Sequence, residues 1–126
     1  MDERPLYDQI GGDPVVRALV DRFYDEMNTS PAARTIRAMH PPDLSDSRDK
    51  LYWFLSGWLG GPPLYVERKG HPRLRARHLP FAVSSDASEQ WMACMRVALA
   101  EHVADTQLRE GLDSALDRLA HHMQNQ

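Results

Sequence analysis

Gly70-His71-Pro72-Arg73-Leu74-Arg75-Ala76-Arg77-His78-Leu79-Pro80-Phe81 is the stretch on which the reading of this chain turns. Pro72 and Pro80 bracket it, and a proline has no N–H to give a helix, so two short helical turns are expected from Pro72 to Leu79. Arg68, Lys69, Arg73, Arg75 and Arg77 crowd cationic side chains together with no acid between them, Glu67 lying just outside. His78 ends the run, with Leu74 one helical turn before it and Leu79 and Phe81 just after. From these neighbours alone His78 reads either as a satisfied core histidine or as a ligand in an apolar slot.

Outward from this stretch the two sides of the chain differ. All 9 prolines lie at or before Pro80, and residues 81–126 hold one glycine, Gly111. On the N-terminal side, Leu6 to Ile10 reads as a short helix stopped by Gly11-Gly12. Asp13-Pro14 reads as an N-cap followed by proline at the first helical position. Val15, Val16, Leu19, Val20, Phe23, Tyr24 and Met27 then recur at the 3, 4 and 7 spacings of an amphipathic helix. Asn28-Thr29-Ser30-Pro31 ends it and opens a short helix to about Met39, closed by Pro41-Pro42. Ser45 or Asp46 is expected to cap a helix with Leu51, Phe54, Leu55 and Trp58 on one face. Gly60-Gly61-Pro62-Pro63 stops that helix, and Pro63 to Gly70 reads as an ordered loop. On the C-terminal side, Ser84-Ser85 starts a long helix with Trp91, Met95, Ala98, Leu99 and His102 on one stripe. A last helix from Thr106 carries Leu108, Leu112, Ala115, Leu116, Leu119 and Met123. No segment alternates with period two for long enough to make a strand. The expectation is an all-α domain spanning residues 1–126.

Composition bounds the function. The chain has 126 residues, 42% hydrophobic and 26% charged, with a formal charge of −3. That is too apolar and too weakly charged for a disordered chain. It lacks the long apolar run of a membrane span and, at Met1-Asp2-Glu3-Arg4-Pro5, the apolar stretch of a secretory signal. The lone Cys94 cannot form an internal disulfide, which points to a reducing, cytoplasmic setting. Nucleic-acid binding is not expected, because the basic cluster is local and no broad cationic footprint accompanies it.

Several reaction classes are missing their signatures. The sequence has no GxSxG, phosphate-binding P-loop, CxxC, HExxH or CxxCH pattern. Cys94 sits among apolar neighbours with no adjacent cation to stabilise a thiolate, so it reads as a small core residue. His102, His121 and His122 fall near helix C-termini, where the helix dipole favours a positive group. His71 either binds an anion or lies exposed. Tyr24 and Trp91 lie on apolar stripes and by themselves read as core. His78 fits one further chemistry: neutral imidazole is a common proximal ligand of haem iron, its apolar neighbours suit a porphyrin, and the arginines beside it suit carboxylates.

Taken together and in order, the motifs resemble those of the truncated haemoglobins, specifically the group II branch. The resemblance runs from Tyr7 to about Leu119. It is carried by Tyr7-Asp8-Gln9-Ile10-Gly11-Gly12, Phe23-Tyr24, Gly60-Gly61-Pro62 with Tyr65, the Gly70 to Phe81 stretch, and Trp91-Met92-Ala93-Cys94-Met95. It implies a shortened globin fold, a two-over-two helical sandwich around a non-covalent haem b. His78 takes the proximal iron-ligand position. Tyr24 and Trp91 take distal positions beside the bound ligand, where each offers one donor. His40 stands where many relatives carry tyrosine or phenylalanine, and it is a further distal candidate that titrates near neutral pH. Ser47 falls at the position that holds the distal histidine of vertebrate globins. Leu51, Phe54, Leu55 and Phe81 are expected to contact the haem, and Tyr65, His71, Arg75 and Arg77 to meet its carboxylates. Relatives also tend to carry tryptophan directly before the glycine pair, whereas this chain has Trp58 followed by Leu59.

The function implied is binding of O2, NO and CO, with peroxide and sulfide as further ligands. Donors at the ligand favour slow oxygen release, which suits oxygen or NO redox chemistry (NO dioxygenation or a peroxidase-like reaction) better than bulk oxygen transport. Such turnover needs an external electron-donating reductase, since the chain carries no flavin or nicotinamide motif. The alternatives are a reversible storage or sensing module without turnover, and a helical interaction domain whose basic loop docks an acidic partner. A monomer or homodimer is expected, with no membrane association.

Overall fold

The computed structural model describes residues 3–126, and every regular element among them is helical. In chain order these are α1 (Leu6–Ile10), α2 (Asp13–Thr29), a 3-10 turn (Pro31–Ala33), α3 (Arg34–Ala38), α4 (Ser45–Trp58), α5 (Leu64–Lys69), α6 (Leu74–His78), α7 (Ser85–His102) and α8 (Thr106–His122). Two helix pairs, α2 with α4 and α7 with α8, form the two layers, and α2 packs across α7 between them. No helix among the described residues is long and apolar enough to cross a membrane.

The periodic residues of α2 and α7 make the core. Val16, Leu19, Val20, Phe23 and Met27 on α2 meet Met92, Met95, Ala98 and Leu99 on α7, all buried. Each large side chain removed from water in this way contributes about 1.5–3 kcal/mol. Phe23 lies at the centre, its ring 4.9 Å from that of Tyr24 and 5.1 Å from that of Trp91. The core therefore fixes the two aromatic side chains next to it.

Local chemistry explains the boundaries and corrects some expectations. Gly11 ends α1 in the left-handed region, at φ 118°, which costs glycine little. Gly61 lies so close to the Tyr7 ring that a Cβ there would collide with it, and this contact seats α1 on the end of α4. Asp13 does not cap α2. Gly12 occupies the cap position, and the Asp13 carboxylate instead accepts from the Tyr52 hydroxyl and pairs with Arg17. Likewise neither Ser45 nor Asp46 caps α4, because the helix begins after Leu44 while Asp43 accepts from the Ser45 N–H. Ser84 and Asp105 do cap α7 and α8 through their side chains. The expected Pro63 to Gly70 loop contains a helix, α5. Pro62 and Pro63 precede it, where missing N–H groups cost nothing, and its six residues are too few for a periodic signal.

Candidate functional site

Between the layers lies a cavity of about 500 Å³, within the range of small-molecule and cofactor sites. Tyr24 enters it from α2 and His40 from the segment after α3. Ser47, Lys50, Leu51 and Phe54 enter from α4, Tyr65 from α5, and Leu74, Arg77 and His78 from α6. Phe81 follows, Trp91 comes from α7, and Leu119 and Met123 close one side. Ten of the thirteen residues expected at the site thus line one space: Tyr24, His40, Ser47, Leu51, Phe54, Tyr65, Arg77, His78, Phe81 and Trp91.

The other three lie elsewhere. Leu55 is buried in the helical core at 2% exposure; it falls one residue beyond Phe54, and α4 turns it inward with Tyr52 and Leu59. Arg75 points to the chain's end, donating to the carbonyls of His122 at 2.8 Å and Gln124 at 3.3 Å. His71 is exposed, and its Nδ1 accepts from the Arg73 N–H at 3.0 Å.

His78 is half-buried, and its Nδ1 lies 2.6 Å from the carbonyl oxygen of Leu74. A carbonyl only accepts, so Nδ1 carries the proton and the neutral ring keeps its lone pair at Nε2. The helix that bears this ring spans only five residues, so its hold on the rest of the fold comes from outside. Asn125 supplies much of it. Its Nδ2 donates to the carbonyls of His78 at 3.3 Å and Phe81 at 3.0 Å, while its Oδ1 accepts from the Val83 N–H at 3.0 Å. With Arg75 reaching the carbonyls of residues 122 and 124, the C-terminal tail clasps α6 from both ends.

Tyr24 and Trp91 present the opposite condition, donors without acceptors. Tyr24 is 5% exposed, yet among the described residues no hydrogen bond holds its hydroxyl or the indole N–H of Trp91. Among the described residues no fully buried side-chain nitrogen or oxygen lacks a partner, so neither group is sealed in, and both residues line the cavity. Burial pushes the Tyr24 phenol far above its usual pKa, against a smaller opposing pull from Arg48; it is a neutral donor at all ordinary pH. Arg48 bridges Asp21 and Asp25 on α2 and lies 5.8 Å over the Tyr24 ring, which ties α4 to α2 behind the tyrosine.

His40 faces Tyr24 edge-on, ring centres 5.9 Å apart. Its Nδ1 donates to the Ile36 carbonyl at 2.7 Å, which leaves Nε2 as an acceptor in the neutral form. Burial holds its pKa below the usual histidine value, opposed by the bond to Ile36 and helped by the charge of Arg37 and by His78. α3, which supplies Ile36, is in turn held by Gln90 on α7, whose Oε1 accepts from the N–H groups of Thr35 and Ile36 at 3.0 and 3.2 Å.

At the rim, Arg77 lies 5.7 Å over the buried Tyr65 ring and donates from Nε to the Pro72 carbonyl at 2.6 Å. Lys50 stands on the α4 side, paired with Asp46. Lys50 was not expected at the site, although its spacing from Ser47 and Phe54 places it on their helical stripe. Nothing local signals Asn125 or Gln90, whose bonds join residues more than forty positions apart.

The model of the bacterial-like globin family matches residues 5–125 of this chain. The group 2 truncated haemoglobin YjbI of Bacillus subtilis is 41% identical over 116 residues, 91% of this chain and 85% of that protein. Among solved structures, the group II 2-on-2 haemoglobin of Agrobacterium tumefaciens is 48% identical with a TM-score of 0.96, covering 100% of this chain and 98% of that one. The cold-adapted truncated haemoglobin of Pseudoalteromonas haloplanktis is 45% identical with a TM-score of 0.95, covering 98% and 99%. With a family match over nearly its whole length and a two-over-two fold closed around one cavity, this chain belongs to the bacterial-like globins and, within them, to the group II truncated haemoglobins.

Proposed function

We propose that His78 holds a non-covalent haem b in this cavity and that Tyr24, Trp91 and His40 hold a diatomic ligand there for oxygen or NO redox chemistry. Membership of the family carries haem-based binding of diatomic ligands; the residue roles and the chemistry are our reading. The donor set supports it. No group of three or more His, Cys, Asp or Glu among the described residues is placed to hold a bare metal ion, so a single imidazole lone pair fits a metal whose other positions a macrocycle fills. Leu51, Phe54, Phe81 and Leu119 give apolar walls, and Lys50, Arg77 and Tyr65 give the donors that two carboxylates require. Cys94 is buried outside the cavity lining, in keeping with non-covalent attachment.

The observation that carries the redox reading is the pair of unspent donors. When bound, the haem supplies an iron that takes up O2, NO or CO. The Tyr24 hydroxyl and the Trp91 N–H, on rings packed against Phe23, would then meet developing negative charge with little reorganisation. Each such charge-assisted bond is worth about 1.5–3 kcal/mol. Donors of this strength hold oxygen too long for a carrier and suit turnover, in which NO and O2 take one electron to give nitrate. His78 is kept in one tautomer by Leu74, and the electron comes from an external reductase. Mixing the haem-loaded, oxygenated protein with NO tests this. Rapid formation of one nitrate per haem, restored by a reductant, is the expected result. Slow replacement of one ligand by the other, without nitrate, contradicts it and leaves a reversible storage or sensing module.

A further inference from the structure

We propose that the corner formed by α5 and α6 is the docking surface for an acidic, one-electron carrier protein. The proposal rests on the haem reading above and says where its electron enters. The charges come first. Arg68, Lys69, Arg73, Arg75 and Arg77 are all exposed, and none pairs with a carboxylate among the described residues. Elsewhere on the molecule Arg17, Arg22, Arg48, Lys50 and Arg96 pair with carboxylates, whereas Arg34, Arg37, Arg109 and Arg118 stand singly and form no such cluster. Arg75 and Arg77 are anchored on backbone carbonyls, and Arg68 stacks on Trp53 with its guanidinium 4.9 Å from the ring. Lys69 and Arg73 extend into solvent. Glu67 is the one acid from Leu64 to Phe81, so with Arg77 given to the haem carboxylates four cations still mark this corner on a protein whose net charge is −3.

Apolar exposure is concentrated in the same place. Of the large hydrophobic side chains exposed among the described residues, Val66 (53%) and Leu79 (59%) lie on this corner outside the cavity lining, Phe81 (43%) lies at the cavity, and Leu6 lies elsewhere. Apolar side chains rimmed by charge are the composition of a protein interface. The backbone fixes the turn between the two helices. Arg73 is the one described non-glycine residue in the left-handed region, at φ 46°, held there by His71 accepting its N–H.

Position completes the argument. Tyr65, Arg77, His78 and Phe81 belong to this segment and line the cavity, so a partner seated on Arg68, Lys69 and Arg73 sits beside the proposed cofactor pocket. The step itself is small: the reduced carrier gives up one electron and is oxidised, ferric iron becomes ferrous, and no bond is made or broken. An anionic membrane fits less well. Surface-binding helices are generally long and amphipathic, whereas α5 and α6 have six and five residues.

Titration calorimetry of the haem-loaded protein with an acidic plant-type ferredoxin, at rising NaCl, tests this. Binding at low salt is expected to weaken steadily as salt rises. The triple variant Arg68→Glu/Lys69→Glu/Arg73→Glu is expected to bind at least about tenfold more weakly, and Arg68→Gln/Lys69→Gln/Arg73→Gln to lie between. Their haem spectra and oxygen release should match the parent, since none of the three residues lines the cavity. Absence of binding at low salt, binding indifferent to salt, or undiminished binding by the triple variant overturns the proposal. So does capture by phosphatidylglycerol vesicles with none by ferredoxin. A protein that takes up no haem fails at the spectrum, before any carrier is added, so the two failures are told apart.

Discussion

Tyr24 and Trp91 show how a packed core prepares a reactive space. Phe23 touches both rings, which fixes their directions, and the protein offers neither donor an acceptor. Tyr24→Phe keeps the ring and its packing and removes only the hydroxyl. We expect oxygen release from the haem-loaded variant to quicken by about 10- to 100-fold, the equivalent of one charge-assisted hydrogen bond, measured by stopped-flow displacement with CO. His40 differs in kind because it titrates. Burial lowers its pKa, so at neutral pH and above it is uncharged and its Nε2 has no proton to offer a bound ligand. On acidification below the usual histidine range Nε2 gains a proton and becomes a further donor toward the ligand. Oxygen release is therefore expected to be flat from pH 7 to 9 and to slow on acidification below the usual histidine range, with His40→Phe flat throughout. A flat wild-type profile removes His40 from the distal set. Cys94 is the opposite case, a titratable group with no task. Burial, aided by Glu26 and opposed by Arg22, pushes its thiol up to about 11. We expect no reaction with an aromatic disulfide reagent at pH 8 in the folded protein and one thiol per chain after denaturation.

At the scale of elements, one of the three shortest α-helices carries the most demanding residue. α6 has five residues, too few to be stable alone, and the C-terminal tail holds it. Asn125→Ala removes the partners of His78, Phe81 and Val83 together. Haem loss from this variant is expected to be about tenfold faster, with amide exchange increased at Val83 and little changed in the α2–α7 core, since each lost bond is worth about 1 kcal/mol. Equal exchange at Val83 in the two proteins would show that the clasp does not hold the segment. The same element shows what sequence can reveal. Long periodic helices such as α2 and α7 are legible because the apolar stripe that defines them also buries them. So is the Gly70 to Phe81 stretch, where proline and histidine spacing is local. α5 was not legible, since six residues after two prolines look like loop. Nor was the split of Phe54 from Leu55, which depends on helical phase relative to a neighbouring layer. Asn125 and Gln90 act through bonds to residues distant in the chain, which leave no local pattern. His71 and Arg75 were placed by charge alone, and charge does not say which way a side chain turns.

For the whole molecule, the cavity of about 500 Å³ is a cost that a cofactor offsets. Apolar walls facing one another across an open space forgo the contacts that a filled interior makes. A ligand that binds only the folded state stabilises it by mass action. Extraction of the haem is accordingly expected to lower the melting temperature by roughly 10 °C or more, at about 3–6 °C per kcal/mol for a domain of this size, measured by calorimetry. Loosening should be greatest in α6 and the segments flanking the cavity, with α2 and α7 persisting. All of this stands on one proposed bond, from His78 to the haem iron, and the optical spectrum of the purified chain supplied with haem addresses it directly. The account predicts a Soret band of one haem per chain that His78→Ala loses or shifts strongly while the variant keeps its helical content. A haem spectrum identical in His78→Ala, or no Soret band in the parent protein, would contradict it.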